Sequence, residues 1–318
     1  DTGLLGDGPP VTAMLVQSPT PAAVAPESGR VRKGLMRDDM FLAVHEQFLT
    51  DTAMLADIVL PATTFLEHDD LYTSFGHTQL QIGPRVIAPL GEARSNHDLI
   101  AALAKRLGAD DPAFQSSAWE MIDGALKKSG FGSADAMRES RQIDVAPDFE
   151  TSHCLNGFGH GDGKFHFRAD WASIGDDLEG MPELPDFADI IDEADAERPF
   201  RMVTAPSRNY LNTTFTETKT SQSQEVRPTV KMAPADCEEL GVIDGDVVRL
   251  GNSCGDLAIH VEVFGGAEPG VVIVESVWPN GAFIEGIGIN LLTSSRPAKP
   301  SGGAAFHDTA VWIRPADI

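Results

Sequence analysis

The sequence predicts an α/β protein in two parts: an open α/β layer early in the chain and a closed β-barrel at its end. Three observations carry this. Phe41-Leu42-Ala43-Val44 and Ile58-Val59-Leu60 are short apolar runs separated by a polar segment, the pattern of buried parallel strands. Short strands with Gly turns and one short helix follow Phe200, which suits a barrel. The 318 residues are enough for two domains.

Composition narrows the function classes. Hydrophobic residues make up 42% and charged residues 23%, the balance of an ordinary soluble globular protein. The formal net charge of -24 argues against a nucleic-acid or anionic-membrane surface. No run is long and apolar enough to span a membrane. Cys154, Cys237 and Cys254 are too few and too scattered for a disulfide framework or a Cys-x-x-Cys metal site, and read as idle thiols. Asp1-Thr2-Gly3 carries neither an initiator Met nor a signal pattern, so the chain is read as cut from something longer. The compartment stays open between cytoplasm and periplasm, with the cytoplasm favoured.

In chain order, Val11–Val16 is a strand, followed by a Pro-rich loop, Gln17-Ser18-Pro19-Thr20-Pro21. Ala22–Arg37 reads as loop and weak helix. The Phe41–Val44 strand ends at His45 and Glu46. Thr50 caps a short helix through Met54, with Asp51 favourable in its first turn. Ile58–Leu60 is a second buried strand, stopped by Pro61. Open α/β sheets bind ligands beyond the carboxyl ends of their strands, so His45–Thr52 and Pro61–His68 form a candidate ligand site. His68, Asp69, Asp70 and His77 fit no standard metal spacing and read as a solvated loop.

Ser95–Gly108 is a helix: Ser95 and Asp98 make a capping-box-like start, Leu99, Ile100, Leu103 and Leu107 share one face, and Gly108 ends it. Ser117–Ser129 is another. Gly157–Lys164 is Gly-rich, but no Lys-Ser/Thr pair opens a helix, so it is not a phosphate loop of the Walker type. Asp176–Arg198 is an acidic, Pro-punctuated linker. The division is then an α/β portion over 1–110, a helical insert with acidic linker over 111–197, and a barrel domain over 198–318. In that domain Phe200–Thr204 is a strand, Ala205–Thr214 a polar loop, and Val230–Ala233 extended. Pro234–Leu240 is a short helix opened by Pro and closed by Gly241. Val247–Leu250 and Leu257–Phe264 form a hairpin around Asn252-Ser253-Cys254-Gly255, and Val271–Val274 is an apolar strand.

Two stretches together resemble the molybdopterin oxidoreductases of the dimethyl-sulfoxide-reductase type. The first is Glu46, Thr50-Asp51-Thr52-Ala53 and Ala56-Asp57-Ile58-Val59-Leu60-Pro61-Ala62, where the family has an acidic strand end, a Thr-x-Thr-Ala turn and Ala-Asp-Ile-Val-Leu-Pro-Ala. The family's usual Asp is Glu46 here, one methylene longer. Pro19 is the firm element of a Gly-x-Asn-Pro-like turn, and Gly163-Lys164-Phe165-His166-Phe167 resembles a Gly-Lys-x-Glu-Phe strand. The second stretch, Met232–Gly255, resembles the molybdopterin-dinucleotide-binding domain. It continues through Trp278, Asn290-Leu291-Leu292-Thr293 and Ala305-Phe306-His307.

The resemblance implies a Rossmann-like α/β portion followed by a double-psi β-barrel. It implies a molybdopterin guanine dinucleotide cofactor, two per whole enzyme, and an iron–sulfur cluster in a missing N-terminal part. The implied partners are that N-terminal portion and an electron-transfer subunit. The two-electron chemistry, often oxygen-atom transfer, belongs to molybdenum. Because the family's metal ligand lies upstream, this chain alone is expected to be inactive and no residue in it is catalytic. The resemblance assigns His45, Glu46, His68 and Asp98 from the first part to the cofactor cradle. From the barrel domain it assigns Thr204, Ser207, Asn212, Thr213, Asn290 and His307. Glu46 would accept from a guanine edge, or merely sit in solvent. Asp98 would contact the nucleotide, or serve only as a cap. His307 stands where relatives often have Lys. The competing reading is a cofactor-free scaffold subunit of a redox complex with the same fold. An unrelated nucleotide-binding module is disfavoured, because no Gly-x-Gly-x-x-Gly follows a strand and opens a helix.

Overall fold

The apolar run at Phe41 is the centre of a parallel sheet. The computed structural model describes residues 8–175, 178, 181–184, 186, 192–275, 277–300, 302–307 and 309–316. Strand β1 (Ala13–Gln17) leads into helices α1 (Pro21–Val24) and α2 (Ser28–Leu35), then β2 (Phe41–Glu46) and β3 (Ile58–Pro61). The order is β1-β2-β3, parallel throughout. Side chains alternate across a strand. Leu42, Val44 and Glu46 therefore share one face of β2, and Phe41, Ala43 and His45 the other. Leu42 and Val44 are buried with Val16, Ala22, Leu35, Met40 and Ala53.

Between β2 and β3 the expected helix from Thr50 to Met54 is shortened to one 3-10 turn at Ala53–Leu55, whose cap position is Thr52, without a side-chain cap bond. The Thr50 hydroxyl accepts the Ala53 N–H at 3.3 Å. The Asp57 carboxylate accepts the Leu42 N–H at 2.7 Å and ties the strands together. The expectation of a second buried strand does not hold. Ile58 is 46% and Val59 39% exposed, because among the described residues β3 pairs with β2 alone and is the edge of this sheet.

Strands β4 (Asp70–Tyr72) and β5 (Gln79–Gly83) precede helix α3 (Asn96–Arg106), which starts at the predicted cap, with the Ser95 hydroxyl accepting the Asp98 N–H at 3.1 Å. Its apolar face is largely open, since Leu107 is 77% exposed and Ala104 is its buried residue. Helix α4 (Ala118–Lys128) has the full capping box, Ser117 with Glu120. Helix α5 (Ala134–Ser140), strand β6 (Gln142–Asp144) and the one-turn α6 (Phe149–Ser152) follow. Strands β4, β5 and β6 form an antiparallel sheet, under which Leu80 and Ile82 pack on Leu126, Ala134 and Met137. This sheet crosses the expected division at residue 110. Gly163–Phe167, expected as a strand, is exposed irregular chain with bends. Much of the expected linker Asp176–Arg198, and the chain start Asp1-Thr2-Gly3, lie outside the described residues.

The last part is a closed six-stranded barrel. Its elements are β7 (Phe200–Ala205), α7 (Lys219–Glu225), β8 (Thr229–Met232), α8 (Pro234–Leu240), β9 (Val247–Asn252), β10 (Gly255–Val263) and β11 (Val271–Glu275). A short ribbon, β12 (Pro297–Ala298) with β13 (Gly303–Ala304), precedes β14 (Thr309–Pro315). The closed order is β10-β8-β11-β7-β14-β9, with the pairs β10/β8 and β11/β7 parallel and the others antiparallel. Helix α8 and its stop match the prediction: Gly241 caps it at φ 67°, a conformation Gly adopts without a Cβ penalty. Inside, Met202, Val230, Met232, Leu250, Leu257, Val272 and Val274 are fully buried.

Candidate functional site

The carboxyl ends of β1 and β2 open onto a cleft of about 920 Å³, whose far wall comes from the barrel domain. Strand parity explains its near wall. Glu46 shares the Leu42–Val44 face and reaches the cleft. His45, one residue earlier, points to the other face. There its ring nitrogens lie 3.0 Å from Asn96 Oδ1 and 3.1 Å from the Arg94 carbonyl, pinning the start of α3 to the sheet. Ser18, Thr20 and the segment Gln47–Asp51 complete this wall, and the loop Thr213–Thr218, Gln222 and Trp278 face them.

The cleft is acidic. Glu46, Asp51 and Glu217 line it, and among the described residues no Lys or Arg does. Burial pushes the Glu46 carboxyl above its ordinary range. The Gln47 N–H and His45 oppose that shift, and the Glu217 carboxylate adds to it. Glu46 Oε1 accepts the Gln47 N–H at 2.8 Å, and among the described residues nothing donates to Oε2. That oxygen is open to the cleft, where a ligand that brings N–H groups can reach it.

The other expected residues are dispersed. Thr213 lines the cleft beside Glu46. Asn212 is its exposed neighbour at φ 52°. Ser207 is buried and accepts the Tyr210 N–H at 3.2 Å. Thr204 and His307 form a separate pair, 3.1 Å between Oγ1 and Nδ1, with the Thr204 hydroxyl also donating to the Phe306 carbonyl. His68 lies 2.8 Å from the Thr63 hydroxyl. Asp98 accepts the Ser95 hydroxyl at 2.8 Å and serves the cap. Asn290 is buried and donates to the Ala23 carbonyl at 2.9 Å, across the boundary between the two parts. Sequence reasoning missed the wall formed by Thr216, Glu217 and Gln222. Its signal was a Thr-rich loop after β7, which carries no periodicity.

The residues match two family models, "Molybdopterin oxidoreductase" over 10–106 and "Molydopterin dinucleotide binding domain" over 200–310. The chain belongs to the molybdopterin oxidoreductase family. It is 32% identical over 317 residues to "Probable oxidoreductase YoaE" of Bacillus subtilis, covering 98% of this chain and 45% of that protein. It is 29% identical over 267 residues to the dimethyl sulfoxide/trimethylamine N-oxide reductase of Rhodobacter capsulatus, covering 74% of this chain and 32% of that one. The fold matches the acetylene hydratase of Pelobacter acetylenicus, with a TM-score of 0.79 at 18% identity, over 99% of this chain and 46% of that one. The chain therefore spans less than half the length of these relatives. The second family model implies a molybdopterin cofactor and ends inside the barrel's last strand. Among the described residues no three His, Cys, Asp or Glu side chains converge as a metal site, and no helix is long and apolar enough to cross a membrane.

Proposed function

We propose that this chain forms part of the cradle for a molybdopterin guanine dinucleotide in a molybdenum oxidoreductase. The carrying observation is Glu46, whose Oε2 has no donor among the described residues and opens onto a cleft between the sheet and the barrel domain. A guanine edge offers two adjacent N–H groups to such an acceptor. The hydroxyls of Thr213, Thr216 and Thr50 and the amides of Gln47 and Gln222 supply donors and acceptors for a ring system. Glu46, Asp51 and Glu217 repel phosphate, so the pyrophosphate belongs outside this part of the cleft, on backbone N–H groups.

When bound, the cofactor supplies two-electron chemistry, often oxygen-atom transfer, at its metal. This chain's own part is to bind and orient. Glu46 fixes the ring edge, and the Thr213–Thr218 loop closes over it. The whole enzyme would carry two such cofactors, an iron–sulfur cluster and an electron-transfer partner, with the remaining ligands outside this chain. The Arg- and Lys-free lining is the one observation that favours the second reading, a cofactor-free scaffold of the same fold.

Glu46→Gln in the full-length protein separates the two. It keeps the size but sets a donor against a donor. Charge-assisted bonds contribute roughly 1.5–3 kcal/mol each, so cofactor retention should fall by about one to two orders of magnitude. Glu46→Asp should be milder. The measurements are molybdenum content and guanine nucleotide released by acid. Equal contents in wild type and Glu46→Gln would remove Glu46 from the site, and no nucleotide in either would support the scaffold. The chain purified alone should hold no stoichiometric molybdenum.

A further inference from the structure

We infer that Asn280 and Asn290 are positioning residues that set the width of the cleft by clasping the barrel domain to helix α1. Both are buried, at 2% and 3% exposure, and both lie in barrel-domain loops far from α1 in sequence. The Asn280 side chain donates to the Ala22 carbonyl at 3.1 Å, and the Asn290 side chain donates to the Ala23 carbonyl at 2.9 Å. Two consecutive carbonyls of one helical turn are thus held by two amides from the other domain.

Each amide is itself fixed on its second side. Asn280 Oδ1 accepts the Gly288 N–H at 2.8 Å, and Asn290 Oδ1 accepts the Thr293 hydroxyl at 3.3 Å. A Cβ at Gly288 would stand 2.6 Å from Asn280 Oδ1, so the loop leaves the amide one place to sit. The Asn280 backbone N–H also donates to Asp51 Oδ2 at 3.0 Å. Asp51 and Ala23 line the cleft, as do Pro279 and Gly281 on either side of Asn280. The clasp therefore acts on both walls without Asn280 or Asn290 facing the cleft. On the first-domain side, the Thr52 hydroxyl accepts the Ala22 N–H at 3.0 Å, which links α1 to the turn behind Asp51. Buried amides are satisfied in one geometry only, so they fix the relation of two surfaces more sharply than apolar packing does.

This inference concerns the cleft's shape, whatever ligand fills it, and the test reads shape directly. In the full-length protein, with Cys154 and Cys254 changed to Ser, spin labels are placed at the exposed positions Leu107 and Ile243, one on each domain and neither lining the cleft. Asn280→Asp and Asn290→Asp each turn a donor into an acceptor facing a carbonyl. The expected result is a broadened label–label distance, displaced by more than about 2 Å, the scale that separates a domain rearrangement from side-chain adjustment. Asn252→Ala is the control. It removes donors to the Leu292 and Ala310 carbonyls within the barrel domain and should lower stability without moving the distance. If the aspartate variants do not fold, Asn280→Ser and Asn290→Ser shed the donor without adding charge and carry the same measurement. An unchanged distance in the folded variants would overturn the inference, and so would an equal change in Asn252→Ala. Failure of Glu46→Gln to alter cofactor content would leave this result standing.

Discussion

The barrel and the parallel sheet bury apolar residues in very different ways. The barrel has no edge: each of its six strands pairs on both sides, and Val230, Met232, Leu250 and Val272 are closed off from water. The sheet has three strands, a small apolar core on one face, the start of α3 held by His45 on the other, and among the described residues an open edge at β3. Burying a Leu or Val side chain contributes about 1.5–3 kcal/mol, so a closed interior accumulates stability that three strands cannot. The rigid body of this chain is thus the barrel. The sheet side of the cleft depends on contacts made across to the barrel domain, through α1.

The largest effect should come from the barrel interior. Leu250→Ala should cost ~2–5 kcal/mol. With Trp119 and Trp171 changed to Phe, urea unfolding followed through Trp278 and Trp312 of the barrel domain should show a late transition that Leu250→Ala moves and Leu42→Ala does not. A single transition moved equally by both would break the comparison.

Glu46 gives a smaller effect, and it sharpens the comparison at the cleft. Burial raises its carboxyl above the ordinary carboxylate range in the folded chain. Between the unfolded and folded pKa values the folded state holds more protons than the unfolded one. Stability therefore falls as pH rises through that window and stays lower above it. The ligand-free Glu46→Gln chain should thus be more stable than wild type at pH 7 and equal to it below pH 4, roughly the unfolded carboxyl range. Thermal melts at both values check this. A loss of stability at pH 7 would show that Glu46 is structural rather than held for a ligand.

The smallest effect concerns the open edge. Val59→Lys, at a position 39% exposed, should change stability by no more than about 0.5 kcal/mol. It should reduce self-association, because an edge Lys blocks strand addition. Sedimentation of the chain at rising concentration reads this. A large stability loss would mean that β3 is packed rather than open.

Much of this was legible in local chemistry. Ser95, Ser117 and Gly241 announced the helix ends they form, because a cap is decided within four residues. The hairpin around Asn252–Gly255 and the strand at Phe41 followed from period and turn residues, and the ordered match around Ala56–Ala62 already pointed to the family. Tertiary structure decided the rest. Adjacent His45 and Glu46 looked like one site, yet the strand runs through both and sends them to opposite faces. Ile58 and Val59 read as buried, and only the sheet order shows them at an edge. Asn290 read as a cofactor residue, and the fold turns its amide onto Ala23, 267 positions away in the chain. Asn280 gave no signal at all. A hydrophobic period or a cap is a property of neighbours in sequence. The partner of a buried amide is a property of which surfaces the fold brings together.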